Sequence, residues 1–137
     1  GNVQKHNPSA DIRGILIQKY LDAGNEFIVG ATSDPAFGHL VMAGLGGIYT
    51  ELLNDTAFRI APIDTEEAYR QLQDLISWEL LLGMRGGKQL DIEDIAKLLV
   101  SVSQMVTECP QIKDIDLNPV FVHEDNVIVA DAKVVIG

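Results

Sequence analysis

Hydrophobic and polar positions follow two rhythms along this chain, and the change between them divides it into three stretches. In the first, β-rich runs at residues 14–20, 26–32, 39–43, 48–53 and 56–61 are punctuated by turn formers. Asp22-Ala23-Gly24-Asn25 and Asp34-Pro35-Ala36-Phe37-Gly38 supply two of the turns, and Asn54-Asp55 a third. Residues 2–10 are polar and read as a lead-in.

From Asp64 the spacing becomes helical. Ala68, Leu72, Leu75 and Ile76 form one apolar stripe behind Asp64-Thr65-Glu66-Glu67, an N-cap candidate with acidic followers suited to the free N–H groups of a helix start. A second helix is expected over residues 91–108, with Ile92, Ile95, Leu98, Leu99, Val102 and Met105 as its stripe and Pro110 as its stop. Between them, Leu80 to Leu82 with Gly83, Gly86 and Gly87 reads as a loop carrying Met84 and Arg85. Residues 112–136 return to strand, turn, strand. This order predicts an α+β fold, a mainly antiparallel sheet backed by two helices.

The last hairpin holds the most informative chemistry. In Ile115-Asp116-Leu117-Asn118-Pro119 alternation puts Asp114, Asp116 and Asn118 on one face and Ile115 and Leu117 on the other. Asp131 and Lys133 share a face on the returning strand, residues 127–135. With Asp125-Asn126 as a two-residue turn, Asn118 lies opposite Lys133 and diagonal to Asp131. Amide and carboxylate oxygens converging on one face suit Mg²⁺, which keeps several waters and commonly binds substrate phosphate too. A solvated strand end is the plainer reading of the same residues.

Gly44-x-Gly46-Gly47 lies between extended stretches, which is wrong for a dinucleotide fingerprint that opens a helix. It is either a tight bend or a place where backbone N–H groups approach a phosphate, and Glu51 could serve the same site. The stretch Gln18-Lys19-Tyr20-Leu21, with Glu26 on the next strand, could present backbone groups to a heterocycle and a carboxylate to ribose hydroxyls, or be an ordinary hairpin. His6, His39 and His123 have no partner at ligand or nucleophile spacing and read as surface residues.

Composition narrows the field only modestly. The 137 residues are one domain's worth. A net charge of −10 argues against nucleic acid as a partner, and no apolar run is long enough to span a membrane. The single Cys109 excludes an intramolecular disulfide, fits a reducing cytoplasm and reads as helix-end packing.

Taken together, the segments resemble the ATP-grasp domain of ADP-forming acyl-CoA synthetases (acetate–CoA ligases) and, more distantly, the β-subunit of succinyl-CoA synthetase. The resemblance runs in order through Ile15-Leu16-Ile17-Gln18, Glu26-Phe27-Ile28-Val29-Gly30, Asp34-Pro35-Ala36-Phe37-Gly38, Gly44-Leu45-Gly46-Gly47-Ile48-Tyr49-x-Glu51, Phe58-Arg59-Ile60-Ala61-Pro62, Asp116-Leu117-Asn118-Pro119 and Asp131-Ala132-Lys133. It implies that the backbone of Gln18, Lys19 and Leu21 holds the adenine of ATP or ADP, and that Glu26 binds its ribose. It further implies that Asn118 and Asp131 ligate Mg²⁺, while Asp116, Gly46 and Gly47 receive a phosphohistidine loop.

Gln18 stands where other ATP-grasp enzymes carry a hinge acid. Residues 1–137 correspond to the second lobe, so the implied partners are a first lobe, expected upstream, and a CoA-binding subunit or domain carrying the phosphohistidine. The expectation is a cytoplasmic ligase fragment, inactive alone. Two other classes fit the same residues: a degenerate regulatory ATP-grasp module of a lysine acetyltransferase-type protein, and a plain interaction domain. Retention of both Asn118 and Asp131 argues against the former.

Overall fold

The computed structural model describes residues 5–9, 11–21, 24–47 and 54–137, the side chain of Arg85 excepted. The expected strand at residues 48–53, with Glu51, lies outside them.

Six strands form one antiparallel sheet. In chain order they are β1 (Asn25–Asp34), β2 (Gly38–Leu45), β3 (Thr56–Ile60), β4 (Ile112–Val122), β5 (Val127–Val129) and β6 (Ala132–Ile136). The spatial order is β3-β2-β1-β4-β5, with β6 also paired to β4. Between β3 and β4 the chain makes α1 (Thr65–Gln73), a short α2 (Trp78–Leu81), a 3₁₀ turn (Met84–Gly86) and α3 (Ile92–Glu108).

Alternation builds the core. Phe27, Val29 and Ala31 of β1 and Val41, Ala43 and Leu45 of β2 are buried with Ala68 and Leu72 of α1 and Ile95, Leu99, Val102 and Val106 of α3. Each large apolar side chain so buried contributes about 2 kcal/mol. Helices cover this face, and the opposite face is open, carrying among others Phe58 (48% exposed) and Ile60 (52%).

Polar side chains fasten the helices to the sheet. Asp64 caps α1 by accepting the Glu67 N–H at 2.8 Å, and Asp91 caps α3 by accepting from Asp94 at 3.0 Å. Gln71 of α1, fully buried, donates through Nε2 to the carbonyls of Val41 (3.0 Å) and Ala57 (2.9 Å). Arg59 of β3 reaches back to Glu67 and Asp74, each at 2.6 Å. Cys109 is the C-cap of α3, packed against the core as expected.

The structure departs from the sequence reading in six places. Residues 14–20 are not a strand: Ile15, Leu16 and Ile17 are 88%, 81% and 89% exposed, and no described strand pairs with them. A β-rich run becomes a strand only where a sheet edge accepts its backbone. Leu80 and Leu81, read as loop, belong to the helix α2, and Ile76 and Met105, read as stripe residues, are largely exposed. The last turn is not Asp125-Asn126 but Glu124-Asp125, because the His123 N–H donates to the Asn126 carbonyl at 2.9 Å. The returning strand is broken at Ala130-Asp131 into β5 and β6.

Finally, the register is two residues off the expected one. Asp116 faces Lys133 and Leu117 faces Ala132, so Asn118 faces Asp131 directly instead of Lys133. A slip of two keeps every side chain on its face, which is why the face assignment survives the error in the turn.

Candidate functional site

β1 and β4 lie at the middle of the sheet and meet in a bulge. Phe27 pairs with Val120, but Val29 pairs with Leu117, so Ile28 alone opposes Asn118 and Pro119. The extra residue shifts the phase of β4. Ile115 and Leu117 are buried before it, Val120 and Val122 after it, and Asp114, Asp116 and Asn118 are exposed.

This exposed row is partly occupied already. Thr32 Oγ1 donates to Asp114 Oδ1 at 2.7 Å across the β1–β4 ladder. Asp116 stands opposite Gly30, where a Cβ would come within 2.7 Å of the Ile115 carbonyl oxygen, so glycine keeps the approach to Asp116 low. Asn118 and Asp131 are joined through the main chain, the Asn118 N–H donating to the Asp131 carbonyl at 3.2 Å. Asp131 Oδ1 accepts from the Ala132 N–H at 2.9 Å and its side chain is exposed.

Among the described residues no group of three or more His, Cys, Asp or Glu side chains is gathered for a metal. A divalent ion here would draw one amide oxygen and one carboxylate from the protein and the rest from water and phosphate. That donor set fits Mg²⁺ and would be poor for zinc.

The second constellation is at the start of β1. The Gly46 N–H donates to the Glu26 carbonyl at 2.6 Å. A Cβ on Gly46 would lie 2.9 Å from the Glu26 carbonyl carbon, and one on Gly47, whose φ is +67°, would lie 3.0 Å from Glu26 Oε2. Glycine is therefore required twice: for contact with β1 at Gly46, and for left-handed backbone beside a carboxylate at Gly47. Of the two sequence readings, the glycines do make a tight bend, and that bend is seated on Glu26.

Two clefts open here. The larger, about 860 Å³, is lined by Lys19, Tyr20 and Leu21, and on the far side by Val122, His123 and Asn126. The other, about 600 Å³, is lined by Glu26, Leu45, Gly46 and Gly47 against Leu80, Leu81 and Met84. Gly24, Asn25, Gly87, Lys88 and Leu90 belong to both, so the clefts share a wall. Lys88, in that wall, donates to Glu124 at 2.9 Å, and this carboxylate raises its pKa and keeps it protonated.

The expected site residues thus fall into two groups on one sheet. Lys19, Leu21, Glu26, Gly46 and Gly47 line the clefts. Gln18 is exposed and lines neither, and Asp116, Asn118 and Asp131 sit further along the open face. Glu26 and Gly30, the latter paired to Asp116, are four residues apart on β1, about 13 Å of strand.

His123 and Lys88 had no sequence signal beyond being polar, because the loops that bring them together are distant in the chain. His39, read as a surface residue, is half-buried with Nε2 2.7 Å from the Ile112 carbonyl oxygen. No described helix is long and apolar enough to cross a membrane.

Helices cover one face of the sheet, and the glycine turn, the acid and the two clefts gather at the start of β1. The chain belongs to the ATP-grasp domain family, whose signature spans residues 1–136. It is 42% identical over 135 residues to the β subunit of ADP-forming acetate–CoA ligase I of Pyrococcus furiosus, covering 98% of this chain and 58% of that one. It is 44% identical over 136 residues to ADP-forming acetate–CoA ligase I of Archaeoglobus fulgidus, covering 99% of this chain and 20% of the relative.

Among solved structures it is similar to the dinucleotide-forming acetyl-coenzyme A synthetase 1 of Ca. Korarchaeum cryptofilum in complex with coenzyme A and Mg-AMPPCP. In that structure the phosphohistidine segment points towards the nucleotide binding site. The TM-score is 0.82 at 36% identity, covering 86% of this chain and 55% of that one. The apo form of that enzyme gives 0.86 at 34% identity, covering 99% and 65%. The chain therefore spans little more than half of the β subunit and one fifth of the longer ligase.

Proposed function

We propose that this chain is the nucleotide- and Mg²⁺-binding half of an ADP-forming acyl-CoA synthetase. The parent protein converts a carboxylic acid, CoA and ATP to acyl-CoA, ADP and phosphate. The γ-phosphoryl group passes from ATP to a histidine and then to the acid, and CoA displaces phosphate from the resulting acyl phosphate. The observation that carries this reading is the pair of adjoining clefts, one lined by Lys19–Leu21 and the other by Glu26 with its glycine turn, with Gly24, Asn25, Gly87, Lys88 and Leu90 common to both.

In this reading the backbone of residues 18–21 lies along the adenine, and the Glu26 carboxylate accepts from ribose hydroxyls. Asn118 and Asp131 hold Mg²⁺, which neutralises phosphate charge when bound. Asp116 and the Gly46-Gly47 turn seat the histidine-bearing segment of a CoA-binding subunit or domain, and a first lobe closes the nucleotide from the open side. Phosphoryl transfer asks a protein chiefly for positioning and charge compensation, and these groups supply both. The site works in the cytoplasm, where ATP and CoA are found.

The test is Asp131→Asn in the full-length protein. The amide keeps the oxygen that accepts the Ala132 N–H, so folding should be unchanged. Mg²⁺-nucleotide affinity by calorimetry should fall about 10–100-fold, as for perturbed metal sites, and phosphoryl transfer should slow with it. Unaltered Mg²⁺ dependence removes the assigned metal role, and a wild-type protein that releases AMP and pyrophosphate overturns the reaction.

A further inference from the structure

The structure assigns Asp55 as a positioning residue that sets the opening of the glycine-turn cleft. It is 2% exposed, directly precedes β3, two strands removed from β4 with Asn118, and has no part in the roles given above. Its bonds run to Leu45, which lines one cleft, and to the two residues before α2, whose Leu80 and Leu81 line the same cleft. On one side, its carbonyl accepts the Leu45 N–H at 3.2 Å, directly before Gly46 and Gly47. The contact there is close, since a Cβ on Gly44 would lie 2.9 Å from the Asp55 carbonyl oxygen.

On the other side, Oδ1 accepts the Ile76 N–H at 2.7 Å and Oδ2 the Ser77 N–H at 2.9 Å. These two N–H groups lead straight into α2, whose Leu80 and Leu81, followed by Met84, face Gly46 and Gly47 across the cleft. α2 has no cap of its own, as Ser77 makes no side-chain capping bond.

A four-residue helix does not persist on its own propensity, so α2 stands where an outside group holds it. A carboxylate with both oxygens engaged by main-chain donors is a two-point clamp, stiffer than a single hydrogen bond. Moving it by the length of one lost bond would widen the space between the glycine turn and Leu80–Met84. Asp55 touches no substrate in this scheme. It acts through the walls, and the inference rests on the assignment of the Gly46-Gly47 turn to phosphoryl transfer.

The experiment uses the full-length synthetase, with Asp55→Asn, Asp55→Ala and a core control, Val102→Ala, all assayed where melting curves show each fully folded. Labelling of the protein histidine by γ-³²P-ATP should slow about 10–100-fold in Asp55→Ala. Asp55→Asn, which keeps one acceptor oxygen, should fall between it and wild type. KM for the carboxylic acid and for CoA should stay within about twofold, since only the nucleotide-side cleft is disturbed. Val102→Ala should label at the wild-type rate. Asp55 variants that label normally, or a Val102→Ala enzyme of equal melting temperature that slows as much, overturn the inference alone. A wild-type enzyme that forms no ADP overturns the functional reading and this inference with it.

Discussion

Gly46→Ala measures how tightly the glycine turn is seated on β1. The added methyl would meet main-chain atoms of Glu26 at 2.9–3.0 Å, and main chain inside a sheet yields less readily than the tip of a side chain. The turn must lift, lengthening the 2.6 Å bond from the Gly46 N–H to the Glu26 carbonyl. Overpacking of about 1–3 kcal/mol and one lost hydrogen bond of about 1 kcal/mol give a total of about 2–4 kcal/mol. For a chain of this size that is roughly 6–20 °C in melting temperature.

Gly38→Ala is the matched comparison. Gly38, unlike Gly46, has a positive φ, +81°, and nothing lies within 4 Å of its Cβ direction, so only the left-handed backbone is penalised, about 1–2 kcal/mol. Urea unfolding and thermal melts of both variants, with ATP–Mg²⁺ calorimetry on each, separate steric seating from backbone preference. Gly46→Ala should lose stability and nucleotide affinity together, and Gly38→Ala only stability. A Gly46→Ala melt within about 1 °C of wild type, or a larger loss in Gly38→Ala, would refute the reasoning.

Two further outcomes follow from fixed polar groups. Gln71→Leu should lower stability by about 2 kcal/mol in urea unfolding, because two sheet carbonyls lose a buried donor while the apolar volume is retained. Lys97 is hydrogen-bonded to Glu93 (2.8 Å) and Asp94 (2.9 Å), and these carboxylates raise its pKa above the ordinary lysine value. A raised pKa in the folded state adds stability that is complete below the unfolded value and is lost only as pH rises past it. The difference in melting temperature between wild type and Lys97→Met should therefore be flat from about pH 6 to about pH 9 and shrink at more alkaline pH.

Local signals were legible where local physics decides. The helix starts at Asp64 and Asp91, the turn at Asp34 and, Met105 apart, the apolar stripe of α3 depend on neighbours within a few residues, and each lies where the spacing puts it. Residues 14–20 carry a strand's composition, but strand pairing is a long-range event that composition does not report. α2 was invisible for the complementary reason: its start is held by Asp55, over twenty residues upstream, and four residues show no periodicity. The site was half legible. Glu26 and Gly46-Gly47 were flagged separately and meet in space, whereas the wall formed by Lys88, His123 and Glu124 comes from loop packing that no motif announces.

The bulge opposite Ile28 bears on how chains of this kind can change length. β4 is read in two phases, one presenting Asp114, Asp116 and Asn118 outward, the next sending Val120 and Val122 inward, and the switch is a single surplus residue. Deleting one residue between Leu117 and Val120 would straighten β4 against β1 but throw it one residue out of step with β5 and β6, whose Ala130-Asp131 stands opposite the surplus, turning one of those strands to the wrong face. Insertions at the Pro35–Phe37 turn or at Glu124-Asp125 leave both phases alone. Drift in length is free at the two hairpin tips and forbidden at the middle of the sheet, so a homologue with altered length is expected to carry the change in those tips and to keep this count.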